Sequence, residues 1–481
     1  MVLPPDDSGR KKSPRRRKRK AGKRKPQAKK SAGLAPNNVP AALEKLEQVN
    51  INAAGIDVGA GVHFVAVPEG RDPEASVRCF RGFTSDLEAL ADWLESCGVT
   101  TVAMESTGVY WIALYELLQR RGFEVLLAEA SQVKKIRRKT DVLDCQWIQT
   151  LHMFGLLSGS FRPDDKILEL RGFMRQRDML IKYASDHVRH MQKALQQMNV
   201  KLTEVVSDIT GLTGMSIVKA ILAGERNPPT LAALRHENCK NDEATIALAL
   251  QGNWRTEHLL ALRQAVELFE FYQRQLGDLD KQVEAHLQSH PDISSGNTLP
   301  PRAKRRRDNR EPSFDMRNLL YRMTGVDLTD VDGIGGHSAL QIISEIGTDM
   351  SAWETEKHFV SWLCLCPEVN FSGGSRKSRK SKTHASRNRV ATCLRVCAQS
   401  LLKSKSALGA FARRLRSKKG PAQAITATAR KLAIIVYNML KHGRPYRDQG
   451  ADYYEERYRQ RVIKNIRRRA EEFGFELTPV A

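Results

Sequence analysis

The sequence predicts an α/β domain over residues 46–162, followed by a mainly helical region. In the first part, short apolar strands alternate with amphipathic helices. Over residues 165–290, apolar residues then recur every seven positions, which is typical of a coiled coil. The chain has 481 residues, of which 41% are hydrophobic, and this suffices for two to four domains with their own cores.

The α/β prediction follows from the order of its elements. A hairpin, INAAGIDVGAGVHFVAVPEG, comes first, and a helix follows near residues 87–97. The strand VTTVAME, the helix VYWIALYELLQRRG, the strand FEVLLAEA and the helix VLDCQWIQTLHMFGLL complete the domain. This order is the one expected of a ribonuclease-H-like fold.

The remaining segments differ in composition. Residues 163–289 carry two apolar heptad series. The first runs from Ile167 to Ile209 and is interrupted at Arg177, and the second runs from Leu262 to Val283. The two helices can pair within one chain, so a dimer is favoured but not required. Residues 290–318 form a Pro-, Ser- and Arg-rich linker, residues 319–445 a mainly helical domain, and residues 446–481 a basic helix.

Charge points to a polyanionic partner. The formal net charge is +24 and the pI is about 9.8, which favours nucleic acid as partner, with an anionic membrane surface as the alternative. No apolar run reaches the roughly 18 residues of a spanning helix. The sequence predicts no secretory signal, and the eight scattered cysteines have neither CxxC nor zinc spacing. We therefore expect a cytoplasmic, nucleoid-associated protein with reduced thiols and no membrane partner.

The N-terminal arm, residues 1–45, is predicted to be disordered. Residues 10–30 hold fourteen Lys or Arg without an apolar face. The arm is interpreted as a phosphate-binding segment, or as a nuclear signal if the chain works in a nucleated cell. A solubilising tail is the alternative.

Four carboxylates are predicted to meet in the α/β domain. Asp57 lies within the first strand in GIDVG, and Glu105 ends a neighbouring strand in AMESTGVYW. Asp141 and Asp144, in KTDVLDCQW, are three apart at the start of a helix and share one face. An all-oxygen set suits Mg²⁺ or Mn²⁺ and phosphodiester chemistry. Taken singly, the strand aspartate can be a turn residue and Asp141 a helix N-cap.

A serine far downstream is the second candidate. Ser372, in NFSGGSRKSRK, stands before two glycines and a run of cations, which leave its hydroxyl exposed and stabilise a phosphorane. A flexible basic loop that only contacts phosphate explains the pattern equally well. Ser375 and Ser378 are weaker candidates.

The motif GIGGHS, residues 333–338, predicts a helix-hairpin-helix-like turn whose glycine amides, including that of Gly335, face phosphate. A tight turn between helices is the alternative. Trp111 and Trp147 are predicted to be core residues rather than base-stacking platforms, and no phosphate loop is present, so ATP dependence is not expected.

Several of these segments resemble one family. GIDVG, MESTGVYW and RKTDVLDCQWIQTLHMFGLLSGSFRP, followed by VDGIGGHSALQIISEIG, FSGG and SALGAFARRLRSKKG, are similar to the DEDD transposases of insertion-sequence family 110, the bridge-RNA-guided serine recombinases. The match covers most of residues 50–475 in the family's order.

The resemblance implies a RuvC-like domain whose catalytic, metal-binding acids are Asp57, Glu105, Asp141 and Asp144. It implies that Ser372 attacks a DNA phosphodiester and forms a phosphoserine link, with carboxylates and Mg²⁺ supplied by another subunit's RuvC-like domain. The implied partners are double-stranded donor and target DNA, a structured non-coding guide RNA, and other copies in a dimer or tetramer. The residues expected to contact nucleic acid are Arg137, Arg138, Lys139, Gly335, Arg376, Lys377, Arg379 and Lys380.

Three rival functions stay open on the sequence. A junction resolvase that uses water as nucleophile needs the acids and not the serine. A non-enzymatic RNA- or DNA-binding scaffold needs neither. A nuclear regulatory protein derived from a transposase is suggested only by the basic arm.

Overall fold

The computed structural model describes residues 46–106, 108–129, 140–294, 296–300, 311–369, 381–383 and 388–478. The chain divides into two compact units, residues 1–160 and residues 161–481. The finer division into six segments stays a prediction. The α/β domain and the predominance of helices after it are confirmed.

The first unit is built on a five-stranded mixed sheet in the order β3-β2-β1-β4-β5. The three strands β3, β2 and β1 pair antiparallel, and β1, β4 and β5 pair parallel. The elements are β1 (Ala53–Val58), β2 (Val62–Ala66), β3 (Val77–Arg81), α1 (Thr84–Ser96), β4 (Thr101–Glu105), α2 (Trp111–Arg120), β5 (Glu124–Ala128) and α3 (Asp141–Met153).

The sheet buries a different set of residues on each face. One face packs with α1 and α2, where Ile56 and Met104 join the larger core. The other face packs with α3 through a smaller cluster that includes Ala103 and Ile148. Strand side chains alternate between faces, so each strand contributes to both layers.

The second unit begins with two long helices, α4 (Asp165–Gln197) and α9 (Thr256–Gln288), which pack against each other within the chain. Between them lie α5 (Leu202–Val205), α6 (Leu212–Leu222), α7 (Pro228–Ala232) and α8 (Glu243–Ala249). The first heptad series was predicted to continue to Ile209, but α4 ends at Gln197. Asn199 is left-handed at φ 56°, which helical backbone does not permit, so Leu202 and Ile209 lie beyond the helix.

Arg177, which breaks the heptad series, is only 3% exposed. Its Nε donates to Oδ1 of Asp280 at 2.6 Å, and Asp280 is 5% exposed. The amide of Ser313 donates to the second oxygen of the same carboxylate at 3.2 Å. The interruption is therefore a buried ion pair that joins α4 to α9.

The rest of the second unit is a helical bundle. It comprises α10 (Met316–Thr324), α11 (Gly336–Ile346), α12 (Glu356–Trp362), β6 (Glu368–Val369), β7 (Ser381–Lys382), α13 (Arg389–Ser400), α14 (Ala407–Lys419), α15 (Pro421–His442) and α16 (Gly450–Glu472). Leu170 of α4 and Val283 of α9 join the core of this bundle, which includes Phe359 and Leu432. None of the described helices combines the length and apolar character needed to span a bilayer.

Candidate carboxylate site

Asp57 and Glu105 lie next to each other at one edge of the sheet. The parallel pairing of β1 with β4 ends at Ile56 opposite Met104, so the following residues on the two strands are Asp57 and Glu105. Ile56 and Met104 belong to the core shared with α1 and α2. Because strand side chains alternate, Asp57 and Glu105 belong to the opposite face, which α3 covers.

Three contacts fix the direction of α3 across this face. Near the start of β4, the hydroxyl of Thr101 lies 2.8 Å from Nε2 of His152. Gln149 donates to the carbonyl of Ala53 at 3.4 Å. Gly55, two residues further along β1, lies directly against the backbone of Cys145 and Gln149. The helix therefore runs opposite to β1 and β4, and its N-terminus lies at the edge where β1 and β4 end and where Asp57 and Glu105 lie.

The first turn of α3 brings two more acids to this edge. Thr140 is the N-cap, and its side chain accepts a hydrogen bond from the Leu143 amide at 3.3 Å. Asp141 is therefore not the cap, and the alternative role considered for it falls to Thr140. Asp141 is exposed, whereas Asp144 is half-buried, as are Asp57 and Glu105.

The pKa of the buried Cys145 thiol is affected by the charges at this edge. Burial raises the pKa of Cys145, and the carboxylates of Asp57 and Asp144 raise it further. Both carboxylates therefore act on the same buried group, which is consistent with their convergence near the start of α3.

The residue types at this edge fit a divalent cation, because carboxylate oxygens are the ligands that Mg²⁺ and Mn²⁺ prefer. The side chains are not gathered into a ligand shell: among the described residues, no three His, Cys, Asp or Glu side chains lie close enough to hold a metal ion. The backbone brings the acids to one edge, and metal binding would require their side chains to come closer together.

Most of the other predicted site residues lie outside the described residues. These are Ser372 and the cations Arg137, Arg138, Lys139, Arg376, Lys377, Arg379 and Lys380. Gly335 is described and forms the extended N-cap of α11. The Glu311 carboxylate lies near Gly335, and Gly333 packs against Leu401, so a tight packed turn and a phosphate-facing turn both fit this geometry.

Trp111 is a partly buried packing residue. It packs edge-on against Tyr115 and donates to the carbonyl of Gly108 at 3.2 Å. Trp147 packs against the small cluster under α3. Both agree with the prediction that these tryptophans are core residues. The role of Gly55 was not predicted: its close approach to α3 fixes the position of Asp57, two residues further along β1. The only local signal in the sequence was a glycine inside a buried strand.

Comparison with known families gives two matches. The family model for IS110 DEDD transposases matches residues 54–200. A second model, described as the transposase of the IS116/IS110/IS902 family, matches residues 327–413. Together the matches support an IS110-family transposase. The chain is a DNA transposase. No curated protein matches it.

Each of the two matched segments contains some of the candidate site residues. The first covers Asp57, Glu105, Asp141 and Asp144, and the second covers Gly335 and Ser372. A DEDD transposase domain implies dependence on a divalent metal. A DNA transposase binds DNA, which agrees with the net charge of +24.

Proposed function

We propose that this transposase cuts and rejoins DNA with Ser372 as nucleophile and with a Mg²⁺ or Mn²⁺ site formed by Asp57, Glu105, Asp141 and Asp144 in a RuvC-like domain. The observation that supports the metal site is the shared edge, where Asp57 and Glu105 lie near the ends of neighbouring strands, beneath the first turn of α3. Carboxylates brought together at one edge repel each other, and a bound divalent cation would relieve this repulsion.

The serine step follows from ordinary phosphoryl-transfer chemistry. The Oγ of Ser372 attacks phosphorus, an Oγ–P bond forms, and the bond from phosphorus to one deoxyribose oxygen breaks. The serine proton passes to a base, and the departing oxygen takes up a proton to become a hydroxyl. The phosphoserine ester keeps the energy of the broken bond, so rejoining needs no ATP. Bound Mg²⁺ or Mn²⁺ would stabilise the charge that develops on the phosphate oxygens.

We propose further that the carboxylates and Ser372 that act on one phosphodiester come from different copies of the chain, so that the active particle is a dimer or tetramer. A structured RNA that pairs with donor and target DNA would select the sites. Both proposals rest on the family resemblance of the sequence, and the surplus of cations supports RNA binding.

The test is a covalent adduct assay. The full chain is incubated with its flanking non-coding RNA, donor and target DNA, and Mg²⁺, then denatured, and the adduct is mapped by mass spectrometry. We expect a DNA phosphate on Ser372, lost in Ser372→Ala and retained in the matched variants Ser375→Ala and Ser378→Ala. Asp57→Asn should also remove it, whereas Asp86→Asn in α1 should not.

The same assay separates the rivals. A resolvase that uses water would cut DNA in the Ser372→Ala variant and form no adduct. A non-enzymatic scaffold would give neither cuts nor adduct with any variant. Mixing Ser372→Ala with Asp57→Asn protein should restore the adduct only if the two groups can come from different copies.

A further inference from the structure

We propose that the C-terminal helix α16 is a second nucleic-acid contact, which binds the phosphates of duplex DNA through a stripe of four cations, Arg457, Arg461, Lys464 and Arg468. The helix lies after both matched family segments, the second of which ends at residue 413. The proposal does not depend on Ser372 or on the carboxylate site.

One side of α16 is held by packing. Tyr454 packs edge-on against Phe411 of α14, and the guanidinium of Arg414 lies over the ring of Tyr458. Because Phe411 meets Tyr454 and Arg414 meets Tyr458, the two helices run in the same direction. Further along the helix, Ile466 is 47% exposed and Phe473 is 78% exposed. Packing therefore holds only the first half of the helix.

The cations lie on the adjoining side. Residues 457–469 contain seven Arg or Lys and no Asp or Glu. Four of them are spaced i, i+4, i+7 and i+11, which places them on one helix face that borders the packed tyrosines. All four are exposed. The stripe is about 16 Å long, a length over which duplex DNA carries about ten phosphates.

Few anionic groups neutralise the stripe. Arg468 meets Glu472 at 3.7 Å, but both side chains are mostly exposed, so this ion pair is weak. Arg457 donates to the hydroxyl of Tyr453 at 3.3 Å, which is a neutral partner. Among the described residues, no carboxylate lies within ion-pair distance of Arg461 or Lys464.

The neighbouring helix α15 adds cations to the same surface. The Lys431 ammonium lies 4.6 Å from the ring centroid of Phe411, which packs against Tyr454 of α16. The pKa of Lys431 is lowered by desolvation and then by the charges of Arg461 and Arg430. The Nε atom of Arg430 is buried and has no hydrogen-bond partner among the described residues. A phosphate brought to this surface would relieve the repulsion between the cations.

The last turn of α14 extends the basic surface. It carries three exposed cations, Arg416, Lys418 and Lys419. Since α14 and α16 run in the same direction, this turn lies toward the basic half of α16. A surface that draws cations from three helices favours a long polyanion over a single small anion.

The acidic residues in the first half of α16 lie on its other flank. Asp452, Glu455 and Glu456 line a cleft with Arg414 and Arg459, so Arg459 already has acidic neighbours. Arg459 and Arg469 therefore give a matched control: they are on the same helix and carry the same charge, but they lie off the stripe.

The test compares two double variants of the full chain, Arg457→Gln with Arg461→Gln and Arg459→Gln with Arg469→Gln. Binding to a 30-base-pair duplex of arbitrary sequence is measured in EDTA at 50 and 200 mM salt. Each lost phosphate contact lowers the salt slope by about 0.9. The stripe variant loses two contacts, so the slope of log affinity against log salt should be smaller by about 1.8. Between 50 and 200 mM salt, the loss of affinity should therefore be about 12-fold smaller for this variant than for wild type. The off-stripe variant should match wild type within about twofold.

The N-terminal arm is present in both variants, so its own DNA binding cancels in the comparison. Equal losses in the two variants would mean that net charge alone matters, and no loss in either would mean that the helix does not touch DNA; both results overturn the proposal. A loss of binding that appears only with an RNA hairpin of equal phosphate number, and not with the DNA duplex, would also overturn the proposal. A change in oligomeric mass with unaltered DNA binding would assign the helix to self-association instead.

Discussion

Replacing Gly55 by alanine should separate β1 from α3 and displace Asp57. A Cβ built at Gly55 would lie 2.2 Å from the Gln149 nitrogen, 2.5 Å from the Cys145 oxygen and 2.6 Å from the Gln149 Cα. Non-bonded carbon contacts normally fall near 3.5–4.0 Å. All three obstacles are helix backbone, so no side chain can rotate away and the helix itself must move by about 1 Å.

The expected cost is at the upper end of the range for overpacked cores, about 3 kcal/mol. Since every 1.4 kcal/mol is a factor of ten, local opening should become about 100-fold more frequent. Hydrogen exchange of the full chain, followed by mass spectrometry, measures this opening in peptides that contain residues 53–58 and 101–105. Peptides from α9 in the second unit serve as an internal reference.

Gly61→Ala is the matched control, because no atom lies within 4 Å of a Cβ at Gly61 in the neighbouring turn. We expect its exchange to match that of wild type. Unchanged protection of β1 in Gly55→Ala would refute the close approach of strand and helix, and with it the position assigned to Asp57.

Three further predictions test other contacts. Arg177→Ala leaves Asp280 buried without its cation and should lower the free energy of unfolding by about 3–5 kcal/mol, whereas Arg177→Met with Asp280→Leu should recover most of it; a wild-type urea midpoint for Arg177→Ala alone would contradict this. At pH 8 the Cys145 thiol, whose pKa is raised by burial and nearby carboxylates, should react with iodoacetamide far more slowly than the exposed Cys79, and equal labelling rates would be the opposing result. Burial lowers the pKa of His152, so the unfolded chain takes up a proton first and the first unit should lose thermal stability as pH falls below 6.5, less steeply in His152→Gln; a pH-independent melting temperature would show the reasoning to be wrong.

Local sequence patterns predicted the elements that hold the acids. GIDVG and VTTVAME have the apolar character of buried strands, and both strands form, as β1 and β4. The strand β3 was missed, because VRCFR places charged and apolar residues without a strong strand signal. Likewise, the heptad pattern continues past Gln197, so it could not predict that α4 ends there, just before the left-handed Asn199.

Long-range placement was the harder part. Nothing near Arg177 in the sequence identifies Asp280 as its partner, since the two are 103 residues apart. The same holds for α3, whose first turn reaches the edge of β1 only because Gly55 lets the two backbones approach closely. Spacing selects the residue types of a site, whereas tertiary packing decides which of them meet.

The central claim, that four carboxylates at one edge bind a divalent cation, is tested most directly by iron-mediated cleavage. Fe²⁺ takes the place of Mg²⁺ on the full chain, and ascorbate with peroxide generates hydroxyl radicals that cut the nearby backbone. We predict cuts beside residues 57, 105 and 141–144 that disappear in Asp57→Asn and persist in Asp86→Asn. Cuts elsewhere, or a pattern that Asp57→Asn leaves unchanged, would contradict the account.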